Sequence, residues 1–160
     1  MSNSDPSNVD VMQDYVTGVR GYLSYDKRRK CLISLIKFVL DERLGCSKIK
    51  EEEYMGRSYL IIGNTIIDVR KDIHWHYENH RDQIKDYLIY LKAQHHERTY
   101  MTIITDGLRF HVYMPKYDES SQMLELETSR GINLTNPLIT PQQGLNELRD
   151  ILSNFKQDQI

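Results

Sequence analysis

Two cysteines, Cys31 and Cys46, are all the thiol chemistry this chain carries, and they form no CxxC pair. A disulfide-stapled secreted scaffold is therefore excluded, and a reducing, cytoplasmic compartment is the expectation. Cys31 falls in an apolar helical pattern and reads as a buried thiol. No run of apolar residues approaches membrane-spanning length, and the N-terminus lacks the charged-then-apolar order of a signal peptide. Excess positive charge is also missing. The formal net charge is -2, so any contact with nucleic acid must come from a local patch. Repeats and low-complexity linkers are absent too. What remains is ordinary globular material: 160 residues, 39% hydrophobic and 28% charged. That length suits one domain able to bury its own core. Residues 1–8 are polar and read as a disordered tail, with a single α/β domain over residues 9–160.

Periodicity divides the chain. Met12, Val16, Val19 and Leu23 share one face of a first helix starting near Val9, although Gly18 and Gly21 weaken it. Leu32, Leu35, Ile36 and Val39 predict a second from about Asp26 to Leu44, with Gly45 suited to its end. The period then shortens. Tyr59–Ile62 and Thr65–Val69 flank Gly63-Asn64 and predict a hairpin. Ile84, Leu88 and Leu91 mark a helix from about His80 to Ala93. Tyr100–Thr105 and Leu108–Met114 are strands joined at Asp106-Gly107, and Gln122–Thr128 is a further candidate. Thr140-Pro141-Gln142-Gln143 is a capping box opening a helix with Leu145, Leu148, Leu152 and Phe155 on one face. Strands flanked by helices on both sides imply a mixed sheet with both faces covered.

Chemistry concentrates between Gly56 and Tyr113. In Ile66-Ile67-Asp68-Val69-Arg70-Lys71, strand alternation sends Asp68 and Arg70 to one face and Val69 and Lys71 to the other. A carboxylate and a cation so placed can hold a divalent metal and position water at a phosphate. Gln83 and Tyr87 lie one helical turn apart. Last comes Thr105-Asp106-Gly107 before Leu108-Arg109-Phe110.

Gly56-Arg57, a short strand, Asp68-x-Arg70, the Gln83-x-x-x-Tyr87 helix and the Thr105-Asp106-Gly107 hairpin, in that order, resemble the PD-(D/E)xK nuclease domains of type I and related restriction enzymes. The likeness covers about Asp26 to Tyr113, and its QxxxY element is shared with RecB-like nucleases. It implies a restriction-endonuclease-like fold, a mixed β-sheet flanked by helices. It also implies Mg²⁺- or Mn²⁺-dependent hydrolysis of DNA phosphodiesters in a restriction or defence system. The partners implied are DNA, methyltransferase, helicase or specificity modules, and a second copy of the chain. By position, Asp68 takes the second metal-binding acid, Arg70 the place of the lysine that orients the attacking water, and Gln83 with Tyr87 the supporting pair.

The chain departs from that pattern twice. Ser58-Tyr59 stands where the family has its first metal-binding aspartate, and Arg70 replaces a compact ammonium with a permanently charged fork. Glu51, Glu52 or Glu53 precedes the vacant place, and Glu53 is the expected second metal ligand. Asp72 or Lys71 could serve only from a bulged strand. The alternative is the same fold without metal chemistry, binding DNA or a partner subunit. A third reading is the N-terminal piece of a larger methyltransferase-nuclease.

Other candidates weigh less. His74, His76 and His80, around Trp75 and Tyr77, lack the cysteines or HxxxH-E spacing of a zinc site and read as a solvated loop. His95-His96 suits the negative end of a helix dipole. Lys27-Arg28-Arg29-Lys30 is the densest basic run, and Arg28, Arg29, Arg57 and Lys71 are the candidate DNA contacts. The positive charge sits at the unfavourable end of its helix, which points to a partner for it. Thr17–Gly21 has no lysine and no preceding strand, so it is not a phosphate loop.

Overall fold

The computed structural model describes residues 6–21, 25–40, 49–70, 77–94, 99–118, 120–121 and 123–153. The described elements run α1 (Pro6–Gly21), α2 (Tyr25–Leu40), β1 (Lys50–Tyr54), β2 (Arg57–Ile62), β3 (Thr65–Val69), α3 (Tyr77–Gln94), β4 (Met101–Thr105), β5 (Arg109–Asp118), β6 (Met123–Asn133) and α4 (Pro141–Ser153). The six strands form one sheet in chain order. β1, β2 and β3 are an antiparallel meander, α3 carries the chain over to β4 parallel to β3, and β4, β5 and β6 are again antiparallel. The mixed α/β architecture expected from the sequence is therefore present.

Two apolar layers cover the sheet. On one face Met12, Tyr15 and Val19 of α1, Leu32, Leu35 and Val39 of α2, and Leu145, Leu148 and Leu152 of α4 pack on Leu60, Ile67, Ile103 and Phe110. On the other, α3 alone lays Ile84, Tyr87, Leu88 and Leu91 on Tyr59, Ile66, Ile104 and Leu126. The central parallel pair, β3 and β4, is buried at every position. Continuous apolar runs are what double coverage requires, and Asp68 sits inside one of them.

Local chemistry explains most boundaries. α1 begins at Pro6, inside the stretch expected to be a disordered tail, because proline suits a first helical turn. The capping box at α4 forms reciprocally: the Thr140 N–H donates to Gln143 Oε1 at 2.9 Å and the Gln143 N–H to Thr140 Oγ1 at 3.1 Å. Ile62 and Thr65 flank Gly63-Asn64 as the hairpin signal required. The Asp106-Gly107 connection takes in Leu108 as well. Asp106 Oδ1 accepts the N–H groups of Leu108 and Arg109, and the Tyr15 hydroxyl donates to the Gly107 carbonyl. Gly107 has φ +96°, and a Cβ there would lie 3.1 Å from Val19 Cγ1, so the turn needs glycine.

Besides the start of α1, other sequence expectations differ from the structure: His80, expected in a solvated loop, is buried on α3. β1 was not anticipated, because Lys50-Glu51-Glu52-Glu53 lacks apolar alternation. It is an edge strand with both faces largely in solvent, where charge discourages further pairing. β6 runs five residues beyond Thr128, through polar Ser129, Arg130 and Gly131, and a bulge opposite Val112 and Tyr113 admits the extra residue. Cys31 is half-buried rather than buried. Leu23, Cys46, Lys71, Asp72, His74, His76, His95, His96 and Phe155 lie outside the described residues.

Candidate functional site

The site grows from β3. Alternation puts Ile66, Asp68 and Arg70 on the α3 face, and the Arg70 N–H bonds the Thr105 carbonyl at 2.7 Å, extending the β3–β4 pairing. Asp68 is completely buried. Its carboxylate is held by two guanidinium groups. Arg70 donates from Nε to Oδ2 at 2.8 Å and also approaches Oδ2 with Nη2 at 2.8 Å. Arg57, from β2, donates from Nη2 to Oδ1 at 3.1 Å and to the Val69 carbonyl at 3.3 Å. A carboxylate in the middle of a sheet survives because paired guanidinium groups replace its water. The two arginines differ in access: the side chain of Arg70 is 8% exposed and that of Arg57 is 29% exposed. Arg57 Nε is buried without a hydrogen-bond partner among the described residues.

α3 completes the cluster. Gln83 Oε1 accepts from Arg70 Nη2 at 2.6 Å. One turn on, the Tyr87 hydroxyl donates to Glu52 Oε2 at 2.9 Å. The Tyr87 ring stacks on Tyr59, centroids 4.4 Å apart and planes 8° apart. Burial pushes the Tyr59 phenol up to about 12, with the negative charge of Asp68 adding to the rise and Arg70 and Arg57 opposing it. Burial and the bond to Glu52 also raise Tyr87.

The predicted site residues thus divide. Asp68, Arg70, Gln83, Tyr87 and Arg57 come together on one face of the sheet. Glu53, expected as the second metal ligand, does not join them. Glu52 pairs with Tyr59 and Glu53 with Ser58 in the β1–β2 register, so alternation sends Glu53 to the opposite face and brings Glu52 to Asp68's side. The place of the family's first aspartate divides the same way: Ser58 faces α2, and Tyr59 occupies the α3 face with its ring. Arg29, expected at DNA, is committed within the fold, donating to Ser58 Oγ at 3.0 Å and pairing with Glu51. Arg28 reaches the Asp106 carbonyl at 3.4 Å. Those contacts answer the unfavourable placement of the basic run, because they tie α2 to β1, β2 and the β4–β5 turn.

Tyr54 was not singled out from the sequence, Glu52 was offered there only as one of three glutamates near the vacant place, and Tyr59 only as the residue filling it. Periodicity across a strand that did not look like a strand was the missing signal.

The donor set fits a divalent cation poorly. Magnesium asks for carboxylate oxygens free to face it and leaves the rest to water and phosphate. Both oxygens of Asp68 accept from arginine, and the second carboxylate on that face, Glu52, accepts from Tyr87. Among the described residues no group of three or more His, Cys, Asp or Glu side chains could hold a metal ion. What the cluster offers is one negative charge between two fixed positive ones, the more accessible being Arg57. Comparison with family profiles, curated proteins and solved structures gives no match to this chain.

Proposed function

We propose that this chain is a catalytically degenerate module of the restriction-endonuclease-like fold that binds nucleic-acid phosphate, with Arg57 as its central contact. The observation that carries this reading is the pairing of buried Asp68 with Arg57 on one oxygen and Arg70 on the other. Guanidinium groups fill the space around the carboxylate that a metal would need. Drawing either away would leave a cation beside an incoming dication, in a site with little water to screen them. Arg57 is the more exposed of the two arginines on Asp68, and a planar, partly exposed guanidinium suits a phosphodiester oxygen. The order of elements, with Asp68 on a central strand and Gln83 and Tyr87 on the helix beside it, supports the fold assignment. A restriction or defence setting, beside methyltransferase, helicase or specificity modules, rests on the sequence resemblance.

A second reading, metal-dependent hydrolysis of DNA, is favoured by the gathering of Asp68, Glu52, Gln83 and Tyr87 on one face. Nicking of supercoiled plasmid in Mg²⁺ or Mn²⁺, compared between the wild type and Asp68→Asn, separates the two. The expected result is no nicking that depends on Asp68. Alongside it, fluorescence anisotropy should give DNA binding that weakens with salt and falls about tenfold in Arg57→Gln, the scale of one charge-assisted hydrogen bond. Metal-dependent nicking lost in a folded Asp68→Asn protein would establish the second reading instead.

A further inference from the structure

The β1–β2 turn and the outer side of α3 hold features that the Asp68 cluster does not use. Met55 and Gly56, at the tip of the turn, both have positive φ, 52° and 79°. Such turns favour Asn-Gly, so methionine carries strain there. It gains no burial in return, being 85% exposed. Tyr54, just before it, pairs across the strands with Arg57. The Tyr54 ring lies 4.7 Å from that of Tyr90 and 5.3 Å from that of Tyr87. With Tyr87 stacked on Tyr59, four tyrosine rings run from beside Asp68 outward to Tyr90, which is 42% exposed. The inner rings are immobilised by packing, so the outermost is a rigid aromatic surface held in place from behind.

An exposed ring on a fixed aromatic cluster, with a partly exposed arginine across the strand pair, matches the two halves of an unpaired nucleotide. The ring takes the face of a base and the guanidinium takes the phosphate. The acidic run of β1 does not oppose this arrangement. Glu51 and Glu53 lie on the other face, with Glu51 paired to Arg29, and Glu52 is bonded by Tyr87. We infer that Tyr90, edged by Tyr54, is a base-stacking platform, and that the nucleic acid held at Arg57 is single-stranded or locally unpaired. This rests on the phosphate-binding reading of Arg57. A continuous duplex would not satisfy the platform, because its base faces are already stacked on one another.

The test uses the full chain and fluorescence anisotropy, with a labelled oligothymidylate and a duplex of equal length. The wild type should prefer the single strand. Tyr90→Ala should weaken single-strand binding about five- to hundredfold, the range found for loss of one stacked base, with an unchanged circular dichroism spectrum. Tyr90→Phe should retain the affinity. If Arg57→Gln weakens binding and Tyr90→Ala does not, the platform is refuted and the phosphate-binding reading stands. Equal or tighter duplex binding, untouched by Tyr90→Ala, also refutes it and leaves the exposed ring to a protein partner. No binding of either oligonucleotide by the wild type overturns both proposals.

Discussion

Asp68 shows how much one side chain can depend on its neighbours. Alone at the centre of a sheet, its charge would be too costly to bury, and the cost is offset by the two arginines that bracket it. Removing the carboxylate would reverse the problem and leave two guanidinium groups with no counter-charge. Asp68→Ala is therefore expected to lose about 3–5 kcal/mol of stability, the usual result of breaking a buried pair from one side. Urea denaturation would measure it as a lower midpoint with an unchanged slope. Loss of less than about 1 kcal/mol would mean that Arg57 and Arg70 relax into solvent and that the cluster is no lock. Asp68 and Arg70 were legible as a same-face pair, because a period of two is a property of any strand. Arg57 as the second partner was not legible as such. It comes from the neighbouring strand, and register between strands is not written in either one alone.

At the scale of elements, the strongest local signals were realised and the weakest strand was invisible. α4 starts where Thr140, Pro141 and Gln143 say it should, with both hydrogen bonds of the capping box made. Thr140→Ala is expected to cost about 1 kcal/mol, read as a lowered thermal midpoint, because the Gln143 N–H loses its acceptor. β1 is the opposite case. Its glutamates have little strand preference, and the strand exists through pairing with β2 and through the contacts of Tyr54 and Glu52 with α3. The long β6 was likewise hidden, since its polar second half is held by register with β5 and by the ion pairs of Arg130 with Glu147 and Asp150 of α4.

Across the whole molecule, buried phenols set a response to alkali. Tyr15 and Tyr87 are raised chiefly by burial, and Tyr59 is pushed up to about 12 from an ordinary 10.0. In the unfolded chain these groups ionise from about pH 10, while in the folded protein they stay protonated higher. The unfolded state then binds fewer protons, so stability present below pH 10 is lost as the pH rises towards about 12. Urea midpoints measured from neutral pH to about pH 12 should fall over that window, less steeply in Tyr59→Phe. A flat profile would show that the phenols ionise in the fold without penalty.

Hydrophobic period and turn chemistry, both local, determined from sequence alone that this chain is a mixed α/β domain. They also placed the two hairpins, the QxxxY helix and the α4 cap. They grouped Asp68 with Arg70 and Gln83 with Tyr87, because each pair is one element's own geometry. The tertiary structure decided which element faces which. It set Arg57 and Arg70 on opposite oxygens of Asp68, exchanged Glu53 for Glu52, and spent Arg29 on the sheet instead of on a ligand. It also brought the rings of Tyr59, Tyr87, Tyr54 and Tyr90 into contact from three separate segments. Those outcomes depend on strand register and on how α3 lies against the sheet, and burial of the core fixes both only once the whole chain has come together.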